Sequence, residues 1–236
     1  MKILSIDTST IAASAAIIDE YKLHGEVFTD YKLKHSEKLL IIIDSLLKNL
    51  RMDIEDIDYF AVSNGPGSFT GLRIALATIK GFAIVANKPI ITVSTLDVLA
   101  HSVMYFNGII CPVLDAQRNQ LYSALYKSRN NKLDHLCNEN VFLIPDLINI
   151  LNAQNDDVLF LGDATIKYYN QFKDKLKNRA HIANINVLMP KASYAALIAL
   201  EKIKAGNLQD HYSAMPNYLR VAQAEENLSN QKRRCK

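Results

Sequence analysis

Gly65-Pro66-Gly67-Ser68-Phe69-Thr70-Gly71-Leu72-Arg73 decides how this chain folds. The apolar run Tyr59-Phe60-Ala61-Val62-Ser63 precedes it, and residues 74–85 follow with Lys80 as their only charged member. The first run reads as a strand and the second as a helix. Three of the chain's eight glycines fall within seven residues between them, so the link is a tight turn at a helix N-terminus. The first amides of a helix lack intrahelical partners and carry partial positive charge, so an anion can sit there. The spacing matches neither common phosphate fingerprint: the pattern G-x-x-x-x-G-K-[ST] is absent, and Thr70 stands at the sixth place of G-x-G-x-x-G. A helix entry capped by Ser68 is the plainer alternative to a phosphate loop. Gly67, Gly71 and Ala75 recur every four residues and form a flat stripe against which another element can pack.

Outward from this junction, a second helix is expected over residues 36–50, capped by Ser36 with Glu37 in its first turn. Leu39, Leu40, Ile41, Ile42, Ile43, Leu46, Leu47 and Leu50 leave only a narrow polar strip of Asp44, Ser45, Lys48 and Asn49. A surface helix normally shows one apolar stripe, so an arc this wide is expected to be covered twice. The second cover is either another element of this chain or another chain.

Residues 2–6, 12–19 and 23–29 read as an opening three-stranded meander, with Asp7-Thr8-Ser9-Thr10 as its first turn. Residues 90–93 read as a strand, followed by a helix capped by Ser94 or Thr95 and reaching about residue 105. Residues 109–114, 121–127 and 132–144 echo the opening meander around Asp115-Ala116-Gln117-Arg118-Asn119, which hints at a second, related half. Pro145 starts a short helix, residues 158–161 form a strand, residues 163–173 a helix, and Ser193 caps a last helix to about Lys204. Pro216-Asn217-Tyr218-Leu219-Arg220 reads as an extended docking segment.

The bulk properties exclude several classes. At 236 residues, 49% hydrophobic and 22% charged, the chain can bury a sizeable core. A net charge of +3 is too small to argue for nucleic-acid binding by charge, with basic residues clustered only at Lys232-Arg233-Arg234-Cys235-Lys236. Cys111, Cys137 and Cys235 form neither a disulfide framework nor a zinc spacing, which fits a reducing cytoplasm. No stretch approaches the length of a membrane span. The six histidines lie at least eleven positions apart, so no helix carries a histidine pair for a metal. Pro66 and Thr70 occupy the outer glycine places around Ser68, so the hydrolase nucleophile elbow is unsupported and no catalytic residue is assigned. The remaining candidate is Asp7 with Thr8 and Ser9, a turn whose hydroxyls and amides can hold a phosphate or form an Asx-type turn. Asp115 is its counterpart in the second half, where Gln117 stands in place of a glycine and Gly162 before Asp163 is a lone glycine.

Ile3-Leu4-Ser5-Ile6-Asp7-Thr8-Ser9, His35-Ser36-Glu37-Lys38-Leu39-Leu40, the block Gly65 to Ile74, Lys80-Gly81, Ser94-Thr95-Leu96, Leu114-Asp115-Ala116 and Tyr218-Leu219-Arg220 together resemble the bacterial TsaB family, also called YeaZ. The resemblance spans nearly the whole chain, and the Gly-Pro-Gly-Ser-Phe-Thr-Gly-Leu-Arg block is its most specific part. It implies an α/β, actin-like fold of two lobes, with mixed sheets flanked by helices: 1–106, and a reduced second lobe 107–236 whose C-terminal helix and tail return toward the first. It implies a non-catalytic subunit that pairs with a metal-bearing TsaD-type paralogue in making threonylcarbamoyladenosine beside the anticodon of tRNA. A TsaE-type ATPase joins through the complex, tRNA is met indirectly, and copies of the chain pair with each other when the paralogue is absent.

On that basis Leu39, Ile43, Leu46, Leu50, Gly71 and Ala75 are expected to form the pairing surface, and Asp7, Thr8 and Ser9 at most a weak ATP or ADP contact. No cofactor or metal is otherwise expected. The rival readings are an actin-like small-molecule kinase, which needs both phosphate turns and an adenosine turn, and a glycopeptidase-like hydrolase, which needs a metal or nucleophile.

Overall fold

The computed structural model describes residues 1–31, 35–130 and 132–220, and of residues 35–37 only the backbone. The Ser36 cap with Glu37 and the basic run at residues 232–236 lie outside the described residues.

The glycine junction forms as its composition dictates. Strand β4 (Tyr59–Gly65) ends at Gly65, whose φ of +119° only glycine adopts readily. Ser68 then caps helix α2 (Phe69–Ala86), its Oγ accepting the Gly71 amide at 3.3 Å. Asn87, at φ 52°, closes the helix in the left-handed conformation. The helix therefore starts directly after Ser68, where the expected cap places it. Against the expectation that no stretch approaches a membrane span, at 18 residues and a mean hydropathy of 1.5 it is long and apolar enough, by length and composition alone, to cross a membrane. Here Leu72, Ala75, Leu76, Ile79 and Ala83 pack it into the core beside β4.

Two five-stranded sheets have the same order. In the first, β1 (Ile3–Asp7) pairs antiparallel with β2 (Ala13–Ile18), which pairs antiparallel with β3 (Leu23–Thr29). On its other side β1 runs parallel to β4, and β4 parallel to β5 (Ile90–Ser94), giving the order β3-β2-β1-β4-β5. In the second, β6 (Ile109–Asp115), β7 (Gln120–Arg129) and β8 (Lys132–Leu143) form the meander, with β9 (Val158–Leu161) and β10 (Ala180–Ile182) parallel beyond β6. Its order β10-β9-β6-β7-β8 is the first sheet's order repeated. The related halves expected from the two meanders are therefore present, each with the crossovers that parallel strands require.

Helices fill the layers. α1 (His35–Leu50) and α2 cover one face of the first sheet over Leu4, Ile6, Ala15, Ile17, Phe60 and Val62. α6 (Ala192–Lys204) covers the opposite face at Ile3, Ile18, Ala61 and Ile91. α3 (Thr95–His101) lies between the sheets, its Leu96, Leu99 and Ala100 packed on Ile110, Leu114 and Tyr126. α4 (Ile144–Asn152) and α5 (Thr165–Leu176) close the outer face of the second sheet.

Two local expectations need correction. β10 carries no recognisable sequence signal, because three residues are too few for a period-two pattern. Ser193 does not cap α6: the helix begins at Ala192, and the amides of Ala192 and Ser193 donate to Ser14 Oγ at 3.0 Å and Glu26 Oε1 at 2.9 Å. The first sheet thus supplies the cap, with a carboxylate favourably placed at a helix N-terminus.

Candidate functional site

The turn from β1 to β2 holds Asp7, Thr8 and Ser9, each at most 1% exposed. Asp7 Oδ1 accepts both the amide and the hydroxyl of Ser9, at 2.9 and 2.8 Å, which makes the turn an Asx-type turn. The Thr8 hydroxyl donates to the Gly71 carbonyl at 2.8 Å, and the Ser68 amide donates to the Ser9 carbonyl at 2.7 Å. The glycine junction is thus laid directly on this turn. A β-carbon at Gly67 would come within 2.2 Å of the Ser9 carbonyl oxygen, and one at Gly71 within 1.9 Å of that of Thr8. The junction thus covers Asp7, Thr8 and Ser9, whose side chains are turned into the chain's own hydrogen bonds rather than presented to the cavity.

The equivalent turn of the second sheet is more open. It borders a cavity of about 620 Å³ between the two sheets, lined by Thr10, Ser68 and Thr70 on one side and Asp115, Gln117 and Asp163 on the other. Asp115 accepts from Lys167 Nζ at 2.8 Å and from the Gln117 amide at 2.8 Å. Asp163 accepts the Asp115 amide at 2.9 Å; burial pushes its carboxyl up, the Asp115 carboxylate adding to the shift. Gln117, Arg118 and Asn119 all stand in the left-handed region, at φ 62°, 52° and 59°. Side-chain-bearing residues carry strain there, so surrounding structure must hold this tip. Among the described residues no three His, Cys, Asp or Glu side chains come together as a metal site.

A polar seam joins the lobes beside the cavity. Glu139 of β8 accepts from the hydroxyl of Ser94, the cap of α3, and from Asn217 Nδ2 at 3.2 Å. Tyr126 donates to Asp97 at 2.9 Å, with the His135 ring 4.6 Å from the Tyr126 ring. Burial pushes the Glu139 carboxyl above its usual range, partly offset by the Ser94 hydroxyl; Asp97 raises it further, while His135 and Lys202 lower it. A carboxyl whose pKa is raised on folding binds its proton more tightly in the fold. Its stabilisation is therefore full below the unfolded pKa and is lost as pH rises through the folded value. Glu139→Gln stays neutral at every pH, so the difference in melting temperature between variant and parent should move in the variant's favour from about pH 4 to about pH 8, against the constant loss of one acceptor for Ser94 or Asn217. Thermal unfolding followed by circular dichroism at both pH values checks this.

The residues expected to form the pairing surface are largely taken up inside the chain. Leu39, Ile43 and Leu46 are at most 3% exposed and pack into the core of the first sheet. Leu50 is half-buried against the same core, Leu46 and Leu50 meeting Gly25 of β3. Gly71 is spent on Thr8, and Ala75 is fully buried. The physical reason is helical periodicity: positions 39, 43, 46 and 50 form a single stripe, and that stripe faces the sheet. What the first lobe leaves outside is different. Leu40 and Ile41 of α1 are 56% and 68% exposed, and Ile84 and Val85 of α2 are 57% and 76% exposed. Thr70, Arg73, Ala77, Gly81 and Ile84 follow one another along the outer side of α2. The signal for this second face was the excess of apolar residues at 40 and 41, which the sheet-facing stripe does not need.

The family model for TsaD, tRNA N6-adenosine threonylcarbamoyltransferase, matches residues 11–228. The tRNA threonylcarbamoyladenosine biosynthesis protein TsaB of Bacillus subtilis is 33% identical over 95% of this chain and 96% of its own. A Pseudomonas aeruginosa protein described as similar to the peptidase YeaZ superposes with a TM-score of 0.80 at 24% identity, over 93% of this chain and 99% of that one. The activator of 2-hydroxyisocaproyl-CoA dehydratase from Clostridium difficile, whose structure holds ADPNP, superposes at 0.51 and 13% identity over 87% and 97%. Both likenesses concern the fold, which is the actin-like arrangement of two mixed sheets flanked by helices. The Gly-Pro-Gly junction, the repeated sheet order and the full-length relatives converge: the chain belongs to the TsaB family, built on a domain related to that of the TsaD transferases.

Proposed function

We propose that the chain is a non-catalytic cytoplasmic subunit that pairs with a TsaD-type paralogue during threonylcarbamoyl transfer to the adenosine beside the anticodon of tRNA. The pairing face is the outer side of α1 and α2, and in the absence of the paralogue two copies of the chain meet through it. A TsaE-type ATPase joins through the complex, and tRNA is met through the paralogue.

One observation carries this reading. Leu40, Ile41, Ile84 and Val85 stand on two neighbouring helices over one sheet face, and the chain itself leaves them open. Burying them at roughly 1.5–3 kcal/mol each exceeds what an exposed ion pair contributes. Gly81 supports it: a β-carbon there would meet nothing within 4 Å, so nothing inside the chain requires a glycine in mid-helix.

Depleting the chain in its native cell should lower the threonylcarbamoyladenosine content of tRNA severalfold, as read by nucleoside mass spectrometry, and re-expression should restore it. Unchanged nucleoside levels would rule the role out. The kinase reading needs an open first phosphate turn, whereas Asp7, Thr8 and Ser9 are buried beneath the glycine junction; ATP turnover by the purified chain would revive it. A peptidase role would need chelator-sensitive cleavage by the purified chain, and the described residues offer no ligand cluster for it.

A further inference from the structure

The segment that follows α6 crosses from one lobe to the other. Gln209 first pairs with Ile90 at the edge of β5, its amide donating to the Ile90 carbonyl at 3.0 Å and its carbonyl accepting the Ile90 amide at 2.8 Å. Ala214 is then fully buried in the first-lobe core. Beyond it the chain enters the space between the sheets. The Asn217 amide donates to the Asn64 carbonyl at 2.7 Å, and Asn64 Nδ2 returns a bond to the Met215 carbonyl at 3.1 Å.

Gly65 is a glycine for this approach as well as for its φ, since a β-carbon there would stand 2.6 Å from the Asn217 carbonyl oxygen. The Tyr218 ring stacks on Phe69 at 4.7 Å, and its hydroxyl accepts from Arg73 Nε at 3.0 Å. Arg73 in turn lies over Phe69 at 3.8 Å, so three side chains form one grip on the start of α2. The other end holds the second lobe: Asn217 Nδ2 reaches Glu139, and Arg220 Nη1 donates to the Ala116 carbonyl at 2.9 Å. Asn217, Tyr218, Leu219 and Arg220 all line the cavity between the lobes.

We propose that residues 215–220 are an intramolecular clasp, which occupies the mouth of the inter-lobe cavity and ties the β4–α2 junction to the β6–β7 turn, so that the lobes separate only when it lets go. The inference is independent of the pairing face. It rests on bonds that begin on one lobe and end on the other, a geometry that a tail packed on a single lobe does not have. With the turn of Asp7, Thr8 and Ser9 closed by the glycine junction, the clasp is the second element of the chain that takes up space in its own cleft.

Tyr218→Ala in the full chain removes the aromatic grip without touching either core. Amide hydrogen exchange should then quicken on the order of tenfold at Asn217 and, across the cavity, at Ala116 and Gln120, while amides of α4 and β9 keep their rates. Small-angle scattering should show a larger radius of gyration. Faster exchange at residues 215–220 alone would make the segment a packed tail, and uniformly faster exchange would make it a general stabiliser; either result overturns the clasp. Should Tyr218→Ala not fold, Asn217→Ala cuts the side-chain bond to Glu139 and is read by the same pattern.

Discussion

Gly71→Ala is expected to lower the melting temperature by roughly 10 °C, corresponding to about 3–5 kcal/mol. The added carbon would stand 1.9 Å from the Thr8 carbonyl oxygen, a backbone atom that no rotamer change can move aside. Relief requires α2 to draw away from the β1–β2 turn. That breaks the Thr8 hydroxyl bond to the Gly71 carbonyl and the Ser68 amide bond to the Ser9 carbonyl, both inside the fold. Each broken bond leaves a polar group buried without a partner, at about 1–3 kcal/mol apiece. Gly81→Ala, in the same helix, is the control. Its β-carbon meets nothing within 4 Å, so the substitution should stabilise the isolated chain by about 0.5–1 kcal/mol through helix propensity. Thermal unfolding of the two variants side by side measures the difference, and equal midpoints would show that the contact between junction and turn contributes nothing.

The contrast between these glycines marks what could be read from the sequence. Strong local patterns were legible: residues 23–29 and 158–161 form strands with the expected limits, and the two meanders announced the repeated halves. Ser68 and Ser94 cap their helices because a serine before an apolar run has few other uses. What escaped depends on partners far along the chain. The bond from Thr8 to Gly71 spans 63 positions, and nothing near Asp7 discloses that this turn would be covered from there. Asn217 meets Glu139 across 78 positions, so a docking segment was legible at residues 216–220 but its two-lobed grip was not. The arc of α1 is a subtler case. The sheet takes the stripe of Leu39, Ile43 and Leu46 and leaves Leu40 and Ile41 in water, whereas the sequence reading assigned the most regular stripe to the partner, although regularity is what a sheet demands of a helix.

The combined variant Ile41→Asp, Val85→Asp is expected to weaken association with the TsaD-type paralogue more than 100-fold, a loss of about 3 kcal/mol. In the free chain both side chains stand mostly in water, at 68% and 76% exposure, so two carboxylates there remain hydrated and the fold is unaffected. A partner laid along both helices would take these two carboxylates out of water, Ile41→Asp beside Leu40 and Val85→Asp beside Ile84, and an unpaired buried charge costs several kcal/mol. Self-association of the purified chain should fall in parallel, because the proposed face is shared. Circular dichroism and a melting temperature within about 2 °C of the parent would show that the loss lies in the interface. Ile43→Asp cannot serve this purpose: Ile43 is 1% exposed, and a carboxylate there would unfold the first lobe before any partner was tested. Co-purification at parental yield by the folded double variant would remove the outer side of α1 and α2 from the interface. Loss of both paralogue and self-pairing, with the fold intact, would show that one surface serves both associations.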